Sequence, residues 1–494
     1  MNRCYHCPSV RCSITVIICI ITAKAWPVFA VVTAQNAEHP HANLLSKDHE
    51  DHQLTRVQRD SSQIRISSSQ CPSFCECEHA MPSDGGDGAP KIAVFCHEGG
   101  LEQATFSRLL KQVPRDVTIL DVEAPPDAPN HLLWDDNLNQ LRYLRTLRLV
   151  NCNIPAISRA LKLRTLEALD LRGNRIEHIS ISVFAGVPSI RELNLAQNLL
   201  SVLPTGAFTY LKNLHILSLA HNNITEVSSN LLRDLRNLQA LHLDGNRIPV
   251  TQLNLLFSDV PQLERLELNE CGLSTGAIND LALGKFHSLE RLGLAGNMLG
   301  KVPAAALRNG LHSLRTLDLA DNGLVDIAPG VFARTNISSL LLAGNRLGAS
   351  LDALRPSSLQ TAGTLLELDL SRNNFAHFQS GILGEIQGTI EILHLSGNHI
   401  TEIDQRLTAN MTKLHSLHLG YNFIEYLPHK MPPREFAQLR FLNLSGNQLI
   451  SLPDHSRELL PELQKLDISE NRFISFPVTV IQNFLNTLEK VTIT

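Results

Sequence analysis

The chain has 494 residues, several times what one globular core of about 150 residues holds, so it is either several domains or an architecture that grows by repetition. Lys+Arg 43 against Asp+Glu 48 gives a formal net charge of −5, spread along the whole length. With no basic block to neutralise a row of phosphates, nucleic acid is excluded as the expected partner.

At the N-terminus Arg3 and Arg11 flank the start of an apolar run, Ile14 to Ile21, which continues weakly to Ala34 with small residues at Val32 and Ala34 ahead of polar Gln35. This three-part pattern reads as a secretory signal peptide over residues 1–34. An uncleaved signal anchor is the alternative, since the stretch is almost long enough to span a bilayer of roughly 30 Å, although Lys24 and Pro27 interrupt it. No second apolar run of spanning length follows, so a mature chain ending at Thr494 reads as soluble and without a direct membrane span.

Residues 35–70 are rich in His, Ser, Asp and Gln with few large apolar side chains, too few to offset chain entropy by burial, and read as a disordered linker. The linker holds His39, His41, His49 and His52, which either gather a metal ion without fixed geometry or are simply solvated.

Cys71, Cys75, Cys77 and Cys96 come next, in a segment placed at 71–116. An even set of cysteines in an exported chain reads as disulfides. Zinc is the alternative, but the one-residue gap between Cys75 and Cys77 lacks the two-residue spacing usual in structural zinc sites. The run CPSFCEC followed by IAVFC resembles the cysteine-rich N-terminal cap of extracellular leucine-rich-repeat proteins. That resemblance implies pairing of Cys71 with Cys77 and of Cys75 with Cys96. The gap before Cys96 is longer than in the family, and its excess, Met81 to Pro90, reads as a loop pushed out of the cap's hairpin.

From Leu144 onward one pattern, LxxLxLxxNxL, recurs in fourteen complete copies, as in LEALDLRGNRI from Leu166. Its Asn position falls at Cys152, Asn174, Asn198, Asn222, Asn246, Cys271, Asn297, Asn322, Asn345, Asn373, Asn398, Asn422, Asn447 and Asn471, in steps of 22 to 28 residues. The alternation in LxL predicts a short strand with one face in the core, stacked into a parallel sheet on a concave side. A buried Asn side chain, both donor and acceptor, is expected to bridge neighbouring turns as a ladder, with Cys152 and Cys271 as small, weak donors in its place.

Phe184, Phe208 and Phe332 fall at one offset in their repeats and predict an apolar column on the convex side, where segments read as short and irregular with helical turns. The longest step, Asn345 to Asn373, predicts a bulge around Ser350 to Thr364. The fold class read from this is an α/β leucine-rich-repeat solenoid over 117–494 behind a disulfide-bonded cap. Its repeats resemble the typical class of extracellular leucine-rich-repeat proteins, which includes Toll-like receptors, Slit-like guidance proteins and small matrix proteoglycans. That resemblance, over Cys71 to Thr494, implies a curved horseshoe. The run LFSDVPQLERLELNECGL from Leu256 is also similar to nematode repeat proteins of the P-granule-associated novel type. Leu488, Val491 and Ile493 begin a fifteenth copy that stops before its Asn without a cysteine cap, which reads as a fragment or a spliced or mispredicted product of a longer, membrane-anchored parent.

No GxSxG elbow, GxxxxGK[ST] loop or HExxH helix occurs, so neither an enzyme nor a cofactor is expected. The expected partner is an extracellular or cell-surface protein, bound by a receptor ectodomain, an adhesion or signalling module, or a matrix-organising protein. Outward strand residues are unusually charged around Cys271: Glu264, Arg265, Glu267, Glu290, Arg291, Arg315 and Asp318 form the expected protein-binding surface. A rival reading places a metal or pH-sensing site at His394, His415 and His418, with His394 and His418 side by side, His415 near them and no carboxylate evident to orient them. Sequons at Asn223, Asn336, Asn410 and Asn443 are expected to carry N-glycans.

Overall fold

The structure, a computed structural model, describes residues 71–80, 91–308, 487–493 and 310–474 except 351, 356, 379, 404–406, 408–409, 428–435 and 454–455, together with three short strands, Thr15–Ile20, Val28–Thr33 and Ile64–Arg65. The rest of the expected signal peptide and linker, with the four linker histidines and the Met81–Pro90 loop, lies outside the described residues. The chain divides into two compact units, one formed by Ser46–Leu299 with Pro303–Leu317, the other chiefly by Asp318–Thr494.

The first unit opens with strands β1 (Glu76–Ala80) and β2 (Lys91–Cys96), an antiparallel pair in which Cys77 faces Val94. Disulfides join Cys71 to Cys77 and Cys75 to Cys96, with Cα separations of 5.8 and 4.2 Å, in the pairing that the cap resemblance implies. Helix α1 (Gln103–Gln112) buries Phe106, Leu109 and Leu110, spaced i, i+3, i+4 on one face, and stops at Val113 because Pro114 forces the residue before it out of the helical region. Strand β2 pairs in parallel with β3 (Val117–Glu123), and β3 with β4 (Thr146–Val150), so the cap runs directly into the repeat sheet.

From β4 onward each repeat of this unit contributes a three-residue strand, beginning with β5 (Ala168–Asp170) and continuing to Arg291–Gly293. These strands pair in parallel and in register, so that Leu147, Leu169, Leu193, Leu217, Leu241, Leu266 and Leu292 form one row. None of that row is more than 1% exposed, and burial of each leucine contributes about 2 kcal/mol. Behind the sheet Phe184 and Phe208 stack at 6.2 Å. Phe257, on the helix Val250–Asp259, meets Phe286 at 5.3 Å, a second aromatic pair outside the expected column.

The second unit repeats the plan from Ser339–Leu341 to Lys490–Ile493, each strand parallel to the next, with Phe332 fully buried behind. The expected bulge at 350–364 is largely drawn in. Ala353, Leu354, Ser358 and Leu359 are buried, Ile327 N–H donates to Ala353 C=O at 3.0 Å, and Ser358 Oγ donates to Ile327 C=O at 2.7 Å. Apolar residues within the insertion give it a core face of its own, while Ser350, Asp352, Arg355 and most of Gln360 to Thr364 stay at the surface.

The asparagine ladder forms in both units. Asn174 Oδ1 accepts the Cys152 and Ile154 N–H groups at 3.1 and 3.0 Å, while its Nδ2 donates to the carbonyls of Leu149 and Leu171 at 2.7 and 2.8 Å. The same bridges recur at Asn246 and Asn297 in the first unit and at Asn345, Asn398 and Asn447 in the second. The two cysteine rungs keep the donor half: Cys152 Sγ points at Val122 and Val150 carbonyls at 3.5 and 3.2 Å, and Cys271 Sγ at Leu243 and Asn269 carbonyls at 3.5 and 3.4 Å. Asn130, fully buried and outside the repeat pattern, caps this ladder, accepting Leu101 N–H at 2.9 Å and donating to Cys152 Sγ at 3.3 Å.

Cys152 and Cys271 are free and buried, and burial pushes each thiol up to about 12. Against an ordinary thiol near 8.5, the thiolate fraction at pH 8 falls by about a thousandfold. Alkylation of the native protein at pH 8 is expected to be slower than that of a free peptide cysteine by at least that factor, while unfolding without reductant should expose these two and spare the four cap cysteines. Intact-mass measurement under both conditions checks both statements.

Candidate functional site

The outward side of the sheet is less open than the alternation of LxL suggests. The middle residues Asp121, Asp170, Asn194, Ser218, Glu267 and Asp369 are all 5% exposed or less. Two causes act. Strands roughly 4.8 Å apart crowd side chains of neighbouring repeats, and a short carboxylate or carboxamide folds back on its own turn: Asp170 Oδ1 accepts Arg172 N–H at 3.0 Å, Asn194 Oδ1 accepts Ala196 N–H at 3.0 Å, and Asp369 Oδ1 accepts Ser371 N–H at 2.8 Å.

This splits the expected charged patch. Glu267, expected as an exposed contact, is 1% exposed and lies 2.6 Å through Oε1 from Arg291 Nε, while its Oε2 accepts from Asn269 Nδ2 at 3.3 Å. Register explains the burial, because Glu267 faces Gly293, and a Cβ there would come within 1.7 Å of Glu267 Oε2. The missing side chain leaves the groove into which the carboxylate settles, and Arg291 closes over it. Arg265, Arg291 and Asp318 are half-buried, and Asp318, which opens the second unit, accepts Ala320 N–H at 2.9 Å. Glu264, Glu290 and Arg315 remain exposed, one residue before each strand. They stand in register, Glu290 N–H donating to Glu264 C=O at 2.7 Å and Arg315 N–H to Glu290 C=O at 2.8 Å. Exposed Gln239 extends the row, its Nε2 donating to Glu264 Oε1 at 3.3 Å.

His394 and His418 face each other across adjacent strands, their rings stacked at 4.2 Å, and Phe441 continues the stack at 4.7 Å from His418. Carboxylates do stand beside two of the histidines, which the sequence did not make evident. His394 Nε2 lies 3.5 Å from Glu367 Oε1, and His415 Nε2 lies 3.5 Å from Glu391 Oε2. The His394 imidazole holds the Glu367 carboxyl below its ordinary range. His415 thus belongs to the row before the strands, and the three imidazoles are not brought together as one ligand set.

A charge cluster that the sequence reading did not single out lies at the start of the sheet. Arg148 on β4 reaches Asp121 Oδ2 at 2.6 Å, Glu123 Oε2 at 3.2 Å and Asp170 Oδ2 at 3.5 Å, and His97 Nε2 lies 3.4 Å from Asp121 Oδ1. Burial pushes the Asp170 carboxyl up, whereas its three carboxylate neighbours carry Arg148 above its ordinary value against the cost of burial. The signal was present in the alternation of VTILDVE and TLRLV, but it carries meaning only once the strands are in register.

Of the sequon asparagines, Asn223 and Asn410 are exposed, whereas Asn336 and Asn443 are half-buried. Asn443 Oδ1 accepts both the N–H and the Oγ of Ser445, at 2.8 and 2.7 Å.

Comparison with known proteins agrees with this geometry. The family described as leucine rich repeat matches residues 142–200, 188–248, 287–347 and 389–449. The chain is similar to mouse podocan, 33% identical over 199 residues that make up 40% of this chain and 31% of podocan. It is similar to trophoblast glycoprotein of Macaca fascicularis, 31% identical over 32% of this chain and 42% of that protein, and to keratocan of Coturnix japonica, 30% identical over 46% and 60%. The matched stretch thus spans less than two thirds of each relative. The architecture is that of a disulfide-capped leucine-rich-repeat solenoid. Among the described residues no helix is long and apolar enough to cross a membrane.

Removing Arg291 would strand the Glu267 carboxylate. Arg291→Leu is expected to cost about 3 kcal/mol, and Gly293→Ala about 1–3 kcal/mol by overpacking. Denaturant unfolding checks both, and wild-type midpoints in either variant would contradict the buried-pair geometry.

Proposed function

We propose that this chain is an extracellular, non-catalytic scaffold, a receptor ectodomain or an adhesion module, that binds a protein partner along the exposed row at the edge of its repeat sheet. The observation that carries this reading is the register of Glu264, Glu290 and Arg315: exposed charges of both signs, held at strand spacing by consecutive backbone hydrogen bonds. Fixed charges of mixed sign favour specific, rapid encounter with a protein of complementary pattern. They lose little backbone freedom on binding, because the frame beneath them is already ordered. The buried Glu267 and its partner Arg291 belong to the frame and not to the contact surface.

The two disulfides support an oxidising compartment. One relative is named a glycoprotein, which supports glycosylation here. On exposure, Asn223 and Asn410 are the sequons we assign to glycans first.

Two outcomes follow. Peptide mass spectrometry of secreted protein, before and after glycosidase, is expected to find Asn223 and Asn410 occupied; no occupied sequon at all would contradict export. Glu290→Arg combined with Arg315→Glu is expected to weaken a partner recovered by proximity labelling at least tenfold, with melting and circular dichroism at wild-type values. Unchanged binding in that variant, with loss on substitution of Gln360 to Thr364, would move the interface away from the sheet row.

A further inference from the structure

We propose that His97, Asp121 and Glu123 form a binding site for a divalent transition-metal ion of the zinc class. Among the described residues they are the one group that brings three metal-ligating atoms from His, Cys, Asp or Glu within 4.8 Å of one another. The local fold presents them together. Asp121 and Glu123 alternate on β3 and so share a face, and the pairings of Phe95 with Asp121 and Cys96 with Val122 bring His97 alongside Glu123. The backbone of His97 is fixed at the neighbouring residue, where Cys96 is disulfide-bonded to Cys75.

The donor atoms suit such an ion. Zinc takes nitrogen and oxygen at about 2.0–2.2 Å in a tetrahedron, which sets ligand atoms roughly 3.4 Å apart. His97 Nε2 and Asp121 Oδ1 are separated by 3.4 Å, too far for a good hydrogen bond, and Asp121 Oδ1 is buried without a hydrogen-bond partner. The other oxygen of Asp121 is held 2.6 Å from Arg148 Nη1, which fixes the carboxylate as an outer-shell partner does in metal sites. Charge favours a dication as well: the carboxylates of Asp121, Glu123 and Asp170 surround one guanidinium, a formal excess of two negative charges among these four groups. Asp121 and Arg148 form a floor only 2% and 11% exposed, while His97 and Glu123 at 38% and 36% leave an approach from solvent and a fourth position for water or a partner's side chain. An imidazole nitrogen in the set selects zinc-class ions over calcium or magnesium.

The test uses the full secreted chain, stripped with a chelator and titrated with Zn²⁺ against a chromophoric competitor at about pH 7.4, near neutrality so that histidine is unprotonated. Histidines elsewhere also take up zinc, so the reading is the difference between wild type and variants with wild-type circular dichroism. His97→Gln is expected to remove one equivalent, and Glu123→Gln to weaken that equivalent at least tenfold. A second measurement needs no variant: diethyl pyrocarbonate modification of His97, mapped by mass spectrometry, is expected to slow several-fold in zinc. Equal stoichiometry in His97→Gln and wild type, or modification of His97 at the same rate with and without zinc, would overturn the site and leave the cluster as an ion-pair network.

Discussion

Among the described residues, each complete repeat ends its strand with a turn whose amide and carbonyl groups face the interior, and no regular secondary structure within the repeat satisfies them. The carboxamide of the ladder solves this by spanning two repeats: Asn174 holds N–H groups of the repeat before it and carbonyls of both. Leaving such groups unpaired in the core would cost about 1–3 kcal/mol each, so stacking is obligatory and an isolated repeat has no stable turn. The in-register leucine row, the three-residue strands and the rows of surface side chains all inherit their spacing from this bridge. Where a thiol replaces the amide, at Cys152 and Cys271, the donor function survives and the sulfur accepts more weakly, from Asn130 at Cys152 and from the Gly245 and Asn246 backbone at Cys271. At Cys152 Asn130 supplies a further donor from the cap side, so the first rung is anchored before the asparagines begin.

How much of this was legible in the sequence depends on the range of the interaction. The period, the ladder positions and the offset shared by Phe184 and Phe208 recur from repeat to repeat, so all are visible as recurring letters although their contacts cross between repeats. The cap disulfides were legible through the likeness of CPSFCEC to a known cap, because pairing among four cysteines is not contained in their spacing. Between repeats, the side-by-side placement of His394 and His418 was legible from their shared position, whereas the ion pairs were not. Glu267 has the position of an exposed residue and is buried because a glycine occupies the corresponding place one repeat later. The partners of His394 and His415 are glutamates on the preceding repeats, invisible to any reading that takes repeats one at a time. The insertion at 350–364 was read from its length, whereas its burial follows from the apolar Ala353, Leu354 and Leu359 within it.

The surface chemistry therefore divides by depth. Around Glu267 the middle of the strand is drawn into the frame as a buried ion pair, whereas Gln239, Glu264, Glu290 and Arg315, one place before their strands, keep their side chains in solvent. A binding surface on such a scaffold changes most freely along that earlier row, since replacing Glu264 or Glu290 disturbs no buried partner.

Gly293 carries this logic into evolution. Because the space of its absent side chain is filled by Glu267, these two positions, 26 residues apart in the chain, are not free to drift separately. A larger residue at 293 requires the end of the Glu267 side chain to move away from Arg291 or to be shortened first, so the two orders of substitution are not equivalent. Among descendants of this sequence the pair is therefore expected to be inherited as a single linked character, even though each member alone occupies a position where neighbouring repeats vary widely.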